Sequence, residues 1–266
     1  MSLYTNRSTV SLLNMVWAMF RKGIENARIV KAAVFLLMSG VSPSCIDREI
    51  VESVANAQRK DGGFIGTSDT VAGVRFLQFY PEYKNNIQMG LEWLQNLSNE
   101  NGGWGRSKRD MHRIPSTGFA LWMLPELSQN EPKHLQWLEQ TWLSERNGLT
   151  YKAAYTLMAF AKNKYIPRNE KLIAETQDWL ASQQKSNGGF APWKDHPVET
   201  DIFCTAVSTL GLLAYPNEKY YTNILASYRY MCDTQLTNGI WRFHEIEDGA
   251  SWGLLAMSEA EKLIET

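Results

Sequence analysis

Two kinds of apolar stretch alternate along this chain. In one kind apolar residues recur at heptad-like spacing with polar positions between them: Ile46 to Gln58, Ile87 to Leu97, His134 to Leu143, Leu172 to Gln183 and Tyr221 to Gln235. That spacing predicts amphipathic helices with one face in water, as in Glu92, Gln95 and Asn96 or in Glu175, Asp178 and Ser182. The other kind is apolar nearly all round: Thr70 to Tyr80, Ser116 to Leu127, Tyr151 to Ala161, Thr200 to Tyr215 and Asp248 to Leu263. Runs such as Gly118-Phe119-Ala120-Leu121-Trp122-Met123-Leu124 belong to an inner layer. Ser8 to Arg21 and Glu25 to Ser39 add a sixth pair at the front, for twelve helices in all.

A glycine turn joins the members of each pair. Asp61-Gly62-Gly63-Phe64, Asn101-Gly102-Gly103-Trp104, Asn187-Gly188-Gly189-Phe190 and Asn238-Gly239-Ile240-Trp241 are four copies, and Arg146-Asn147-Gly148-Leu149 is a degraded fifth. Their first glycines stand at 62, 102, 148, 188 and 239, at intervals of 40, 46, 40 and 51. That is the length of a helical pair with its connections, so one repeat organises the chain. The turn needs a residue at positive φ after the outer helix, which the first glycine supplies. The second lets the turn approach the neighbouring repeat, where the aromatic packs. None of these glycines has the strand-before, helix-after setting of a phosphate loop. Prolines fall at helix ends or in connections, where a missing amide does little harm. The expected architecture is all-α, an (α/α)6 barrel of about twelve helices in inner and outer rings, with residues 1–266 as a single domain. An open solenoid is the alternative; closure is expected because the inner set is so apolar and neither terminal pair has a polar capping face.

Composition narrows the partners. Twenty-seven basic against 28 acidic side chains leave a net charge of -1, so no global field favours nucleic acid or an anionic membrane. Cys45, Cys204 and Cys232 are few, widely spaced and odd in number, which fits a reducing, cytoplasmic setting. The stretch from Ile24 to Met38 is broken by Glu25, Arg28 and Lys31, and no transmembrane segment is expected. Val10 to Phe20, followed at once by Arg21-Lys22, reads as a helix of the fold rather than a signal peptide.

The repeat register gathers the candidate chemistry on one rim, where the inner helices begin. Asp69, Asp201 and Asp248 occupy comparable starts. Each can serve as a cap or first-turn residue, worth roughly 0.5–2 kcal/mol. Acids gathered around an apolar cavity also repel one another and lose water, so one of them can keep its proton near neutral pH. His112, His196 and His244 fall in linkers to the same rim, as loop residues or as binding or acid–base groups, while His134 belongs to an outer helix. No convergent set of metal ligands is legible, and no cofactor is expected. Cys204 reads as a small buried hydrophobe or as a polarising or nucleophilic group. Arg106, Arg109 and Arg113, with Lys108, crowd the linker after Trp104, as a solvated loop or as a seat for a diphosphate or carboxylate. Trp122, Tyr155, Phe203 and Trp252 are core residues of the inner ring. Those facing the lumen would form a π-lined cup suited to a polyene or a cationic intermediate.

The turns carry a resemblance as well. Gln58 with Asp61-Gly62-Gly63-Phe64, Gln184 with Asn187-Gly188-Gly189-Phe190, and Gln235 with Asn238-Gly239-Ile240-Trp241 resemble the repeats shared by squalene and oxidosqualene cyclases, other class II terpene cyclases and the β subunits of protein prenyltransferases. The resemblance implies an α/α barrel. Asp201-Ile202-Phe203-Cys204-Thr205-Ala206 is similar to the acidic motif of the cyclases, with Phe203 where their proton donor stands. Those enzymes set the active site between two barrels, and this chain has length for one. Asp201-x-x-Cys204-Thr205 and Asp248-Gly249-Ala250-Ser251 resemble the zinc-binding repeats of the prenyltransferases, with Cys204 in a histidine's place and Ala250 in a cysteine's. The zinc site does not carry over, and that activity would need a separate α subunit.

The expected function is a class II terpene cyclase-like enzyme that cyclises a small apolar or isoprenoid substrate by acid-initiated chemistry in the barrel mouth. Asp201 is its leading acid; Asp248, His196 and His244 orient it or accept a proton later. A homodimer or helper protein is a possible partner. The alternatives are a noncatalytic binding module on the same barrel and a prenyltransferase β-subunit-like protein that needs a partner.

Overall fold

Twelve α-helices make up most of the described residues of the computed structural model, which are 2–98, 100–129, 132–146, 148–197 and 199–264. Asn147, in the degraded fifth turn, lies outside them. The even-numbered helices form the inner ring: α2 (Asn26–Met38), α4 (Thr67–Leu77), α6 (Ile114–Met123), α8 (Thr150–Lys162), α10 (Ile202–Leu213) and α12 (Ile246–Ile264). Outside them lie α1 (Leu3–Arg21), α3 (Arg48–Ala57), α5 (Lys84–Leu97), α7 (Lys133–Glu145), α9 (Leu172–Ser182) and α11 (Tyr221–Thr234). Each inner helix packs against the next, and α12 packs against α2, so the ring is closed and not an open solenoid. No helix is long and apolar enough to cross a membrane, among the described residues.

In three of the repeats a glutamine explains how the ring is held. Gln58 Nε2 donates to the Gly62 carbonyl at 2.7 Å and to the Asn86 carbonyl, at the start of the next outer helix, at 2.8 Å. Gln184 does the same with Gly188 at 2.9 Å and Asn223 at 2.8 Å. Gln235 reaches the Tyr4 carbonyl at 3.0 Å and the Ser8 hydroxyl at 2.8 Å, both on α1. The seam between the two ends of the ring is thus built like an internal one. At the turn itself Gly62 has φ +91°, and a Cβ there would lie 2.2 Å from the Met89 carbonyl oxygen. Only glycine allows both the left-handed backbone and that approach.

A threonine on the inner helix locks three of the turns in place. The amides of Phe64, Trp104 and Phe190 donate to Thr70, Thr117 and Thr205 at 2.9, 2.8 and 2.9 Å. Trp104 and Trp241 are buried and donate from Nε1 to the Leu94 and Met231 carbonyls, each at 2.8 Å. The aromatic residues are the rivets that the repeat pattern suggests, with their polar edges satisfied.

Two boundaries differ most from the sequence reading. The helix expected over Ser116 to Leu127 stops at Met123, because Pro125 has no amide to continue it and opens a 3-10 turn over Pro125–Ser128. The first helix starts at Leu3 instead of Ser8. The Ser2 hydroxyl caps the Thr5 amide at 3.3 Å and also donates to Glu261 of α12 at 2.5 Å, which ties the start of the chain to its end.

Candidate functional site

A helical face repeats after seven residues, and that stride shapes the lumen. Lys31 and Met38 of α2, Ser68 and Arg75 of α4, and Phe203 and Leu210 of α10 are such pairs; the first of each lines a cavity at the rim where inner helices begin, the second a cavity at the opposite rim. The two cavities measure about 290 and 510 Å³. Between them stand Trp252 and Trp122, stacked with ring centres 5.5 Å apart. Phe35 meets Trp252 edge-on at 4.6 Å and Tyr155 does so at 5.8 Å. The barrel is divided into two cups by an aromatic floor.

The first cup collects part of the chemistry expected at that rim. Phe119, Tyr155, Phe203 and Trp252 form its apolar wall, and Arg106 and Arg113 stand at its mouth. Asp248, in the first turn of α12, is the acid that lines it, with a side chain 13% exposed. Burial pushes the Asp248 carboxyl above its ordinary range, and the nearby Lys31 only partly opposes that shift. Lys31 Nζ lies 3.2 Å from Asp248 Oδ1, close enough for an ion pair, yet Oδ1 is buried without a hydrogen bond. A carboxyl against an aromatic wall, with one cation for a partner, holds its proton more tightly than an exposed one. Tyr155 is buried, and burial holds its phenol protonated.

Lys31 is the residue that the sequence reading passed over. There it served only as a break in an apolar stretch. Its signal was a cation within the apolar α2, a helix flanked by the two acid-bearing helices α4 and α12. Asp69, in the first turn of α4, is also raised by burial, with Lys31 pulling the other way. Asp69 does not line the cup, although its neighbour Ser68 does.

Asp201 has a different position. It is the N-cap of α10: Oδ1 accepts the Cys204 amide at 2.7 Å, and its own amide donates to the Phe190 carbonyl at 3.1 Å. Asp201 is not among the residues lining either cup. The Thr205 of the same motif is the turn-locking threonine already described, also donating to the Asp201 carbonyl at 2.7 Å. Most of that motif is therefore repeat framework. Cys204 is buried, and burial, with the Asp201 charge added, drives its thiol far up, so no thiolate nucleophile forms there. Phe203 alone of the motif faces the cup.

The histidines separate from the acid. His112 Nδ1 bonds the Gly102 carbonyl at 2.9 Å, and its ring meets Trp137 edge-on. His196 packs against Trp193 at 4.1 Å, and His244 is exposed beside Phe243. None of the three lines the cup, and neither does the exposed Arg109. Trp122 forms the side of the floor that faces the second cup. Among the described residues no three histidine, cysteine, aspartate or glutamate side chains converge as metal ligands would, so the zinc of the protein prenyltransferases finds no fitting donor set.

Comparison with protein families matches residues 69–240, well over half the chain, to the prenyltransferase alpha-alpha toroid domain. Among curated proteins no sequence is similar enough to count as a relative. Several solved structures share the fold. The type II terpene cyclase MstE from Scytonema, in complex with its substrate geranylgeranyl dihydroxybenzoate, has a TM-score of 0.74 at 14% identity, over 98% of this chain and 99% of that one. A protein from Actinoplanes scores 0.71 at 13% identity, over 89% and 90%. The ent-copalyl diphosphate synthase from Streptomyces platensis scores 0.64 at 12% identity, over 91% of this chain and 50% of that one. The chain thus spans half the synthase but matches MstE end to end, so one barrel is enough length for a protein described as a type II terpene cyclase.

Proposed function

Because the chain belongs to the prenyltransferase alpha-alpha toroid domain family, we propose that its first cup is the active site of a class II terpene cyclase-like enzyme that acts on a short isoprenoid with an anionic head. The observation that carries this reading is a protonation-prone, nearly buried Asp248 on the wall of an aromatic cup whose mouth is cationic. The likeness to a cyclase with a bound geranylgeranyl dihydroxybenzoate supports the substrate class. The volume of about 290 Å³ lies just below the range of small-molecule sites, roughly 300–1,000 Å³, so short prenyl chains are favoured.

In this reading Arg106 and Arg113 hold the head and the prenyl chain lies against Phe203 and Trp252. The protonated Asp248 donates to the terminal alkene; the π electrons form the new C–H bond and leave a tertiary carbocation, which the next alkene attacks to close a ring. The faces of Trp252, Phe203 and Phe119 stabilise the cation, and the closed floor keeps water from quenching it. Loss of a proton from the final cation forms the product alkene and returns the carboxylic acid. Lys31 orients Asp248 and limits how far its pKa rises. The acid assigned to Asp201 in the sequence reading passes to Asp248, with Asp201 retained as the cap that positions Phe203.

The test is an assay of the purified chain against geranyl, farnesyl and geranylgeranyl diphosphates and prenylated hydroxybenzoates. Cyclised product is expected with the wild type and not with Asp248→Asn. Turnover that is unchanged in Asp248→Asn, or binding of every substrate without turnover, would sink the cyclase reading; the second outcome would favour a noncatalytic binding module.

A further inference from the structure

The larger cup opens at the end of the barrel away from the acid. Its volume of about 510 Å³ falls inside the range of roughly 300–1,000 Å³ typical of small-molecule sites. Leu37, Met158, Leu210 and Leu255 make its walls aliphatic, and Trp122 closes it toward the first cup.

Two cations line this apolar space, Arg75 near the end of α4 and Lys162 at the end of α8. Positive charge in a last helical turn complements the helix dipole, which explains why cations stand there. It does not explain why Arg75 is half-buried beside an apolar chamber. Its guanidinium lies over the Phe79 ring at 5.1 Å, and Nη1 donates to the neutral Gln78 Oε1 at 2.9 Å. Gln78 in turn donates to Glu126 at 3.0 Å, so Glu126 is held one side chain away from the guanidinium. Glu259, the carboxylate on the cup's wall, is paired with Lys262 at 2.7 Å. Burial also weakens the hold of Arg75 on its proton, and the charge of Glu126 opposes that only in part.

We propose that this cup is a second ligand site, for a medium-chain aliphatic carboxylate. The carboxylate meets Arg75 and Lys162, and the tail runs between Leu210 and Leu255 toward Trp122. A planar guanidinium with unused donors suits a carboxylate, while the walls suit an alkyl chain and offer its polar end nothing else. The inference goes beyond the cyclase reading and does not rest on it.

The experiment is calorimetric titration of the full chain with decanoate, decanol and decyltrimethylammonium, each kept below its micellar concentration. Decanoate is expected to bind tighter than the other two by about tenfold or more, the effect of a charge-assisted hydrogen bond. Arg75→Met should abolish that preference, and Arg75→Lys, which keeps the charge, should retain part of it if the methionine variant fails to fold. Ala161→Trp fills the cup and should remove binding, with a cooperative thermal transition as the check that the variant is folded. Ser68→Trp, which obstructs the first cup, should leave binding unchanged. Equal affinity for decanoate and decanol, a preference that survives in Arg75→Met, or unaltered binding in folded Ala161→Trp would overturn the proposal. Loss of decanoate binding in folded Ser68→Trp would overturn it too, by placing the ligand in the first cup.

Discussion

The same six inner helices build two cups of opposite character, and the difference comes from which end of each helix is involved. The first lies where inner helices begin, beside the glycine turns and their polar linkers; it is small, aromatic and ringed by Lys31, Arg106, Arg113 and Asp248. The second lies where those helices end; it is larger, aliphatic, and its charges sit at the lip. The loops on the first side are pinned by glutamine, threonine and buried aromatics, which gives side chains there fixed positions. Precise chemistry needs such positioning, whereas an apolar chamber binds by shape and burial.

The sharpest way to break this comparison is to remove its dividing wall. Trp252→Ala should destabilise the fold by about 3–5 kcal/mol, as for other buried tryptophans, measured by urea unfolding. In the material that still folds, selectivity for short prenyl chains should relax toward longer ones, because the cups then communicate.

Next in size is the acid. Asp248→Asn should lower cyclisation by about a hundredfold or more, the contribution expected of a general acid. Wild-type turnover should decline as pH rises through the raised Asp248 value, since only the protonated form donates. Stability should follow the same group. The folded chain keeps a proton there that the unfolded chain has already lost, so wild-type stability falls as pH rises from the ordinary carboxylate range through the raised value. Asp248→Asn removes that loss. Its unfolding midpoint should exceed that of the wild type at neutral pH, and the gap should close in acid.

Smaller effects separate framework from chemistry on the same rim. Asp201→Ala should cost about 1 kcal/mol in unfolding free energy through the lost cap, and leave KM unchanged. Arg106→Ala should do the reverse: no change in stability, and a KM for anionic substrates that rises several-fold and converges on the wild type at high salt, as screening predicts for an exposed charge. If Asp201→Ala proved the more damaging to turnover, the division between cap and acid would be wrong.

Much of this was legible before any coordinates. Alternating amphipathic and wholly apolar stretches, with Gly-Gly turns between them, specify paired helices in two layers, and the ring with α12 against α2 bears that out. The candidate site was legible by rim and less so by residue. Asp248, Tyr155, Phe203, Trp252, Arg106 and Arg113 meet in one cup, while Cys204, Asp201, Arg109 and the three histidines stand elsewhere. Motif likeness pointed at Asp201 because the repeat framework and the family's acid motif share residues; Thr205 locks a turn just as Thr70 and Thr117 do. Nothing in the local sequence distinguishes a capping aspartate from one facing a cavity.

What the sequence determined by itself was periodicity: local spacing sets which residues share a helix face, and glycine, proline and threonine set where each helix starts and stops. Closure of the ring was decided only in three dimensions. It turned Lys31, a polar interruption in α2, into the partner of Asp248 over two hundred positions away, and it stacked Trp122 on Trp252 into a wall between two cups. The balance of burial and charge on Asp248 depends on neighbours from other helices, and no stretch of sequence contains them together.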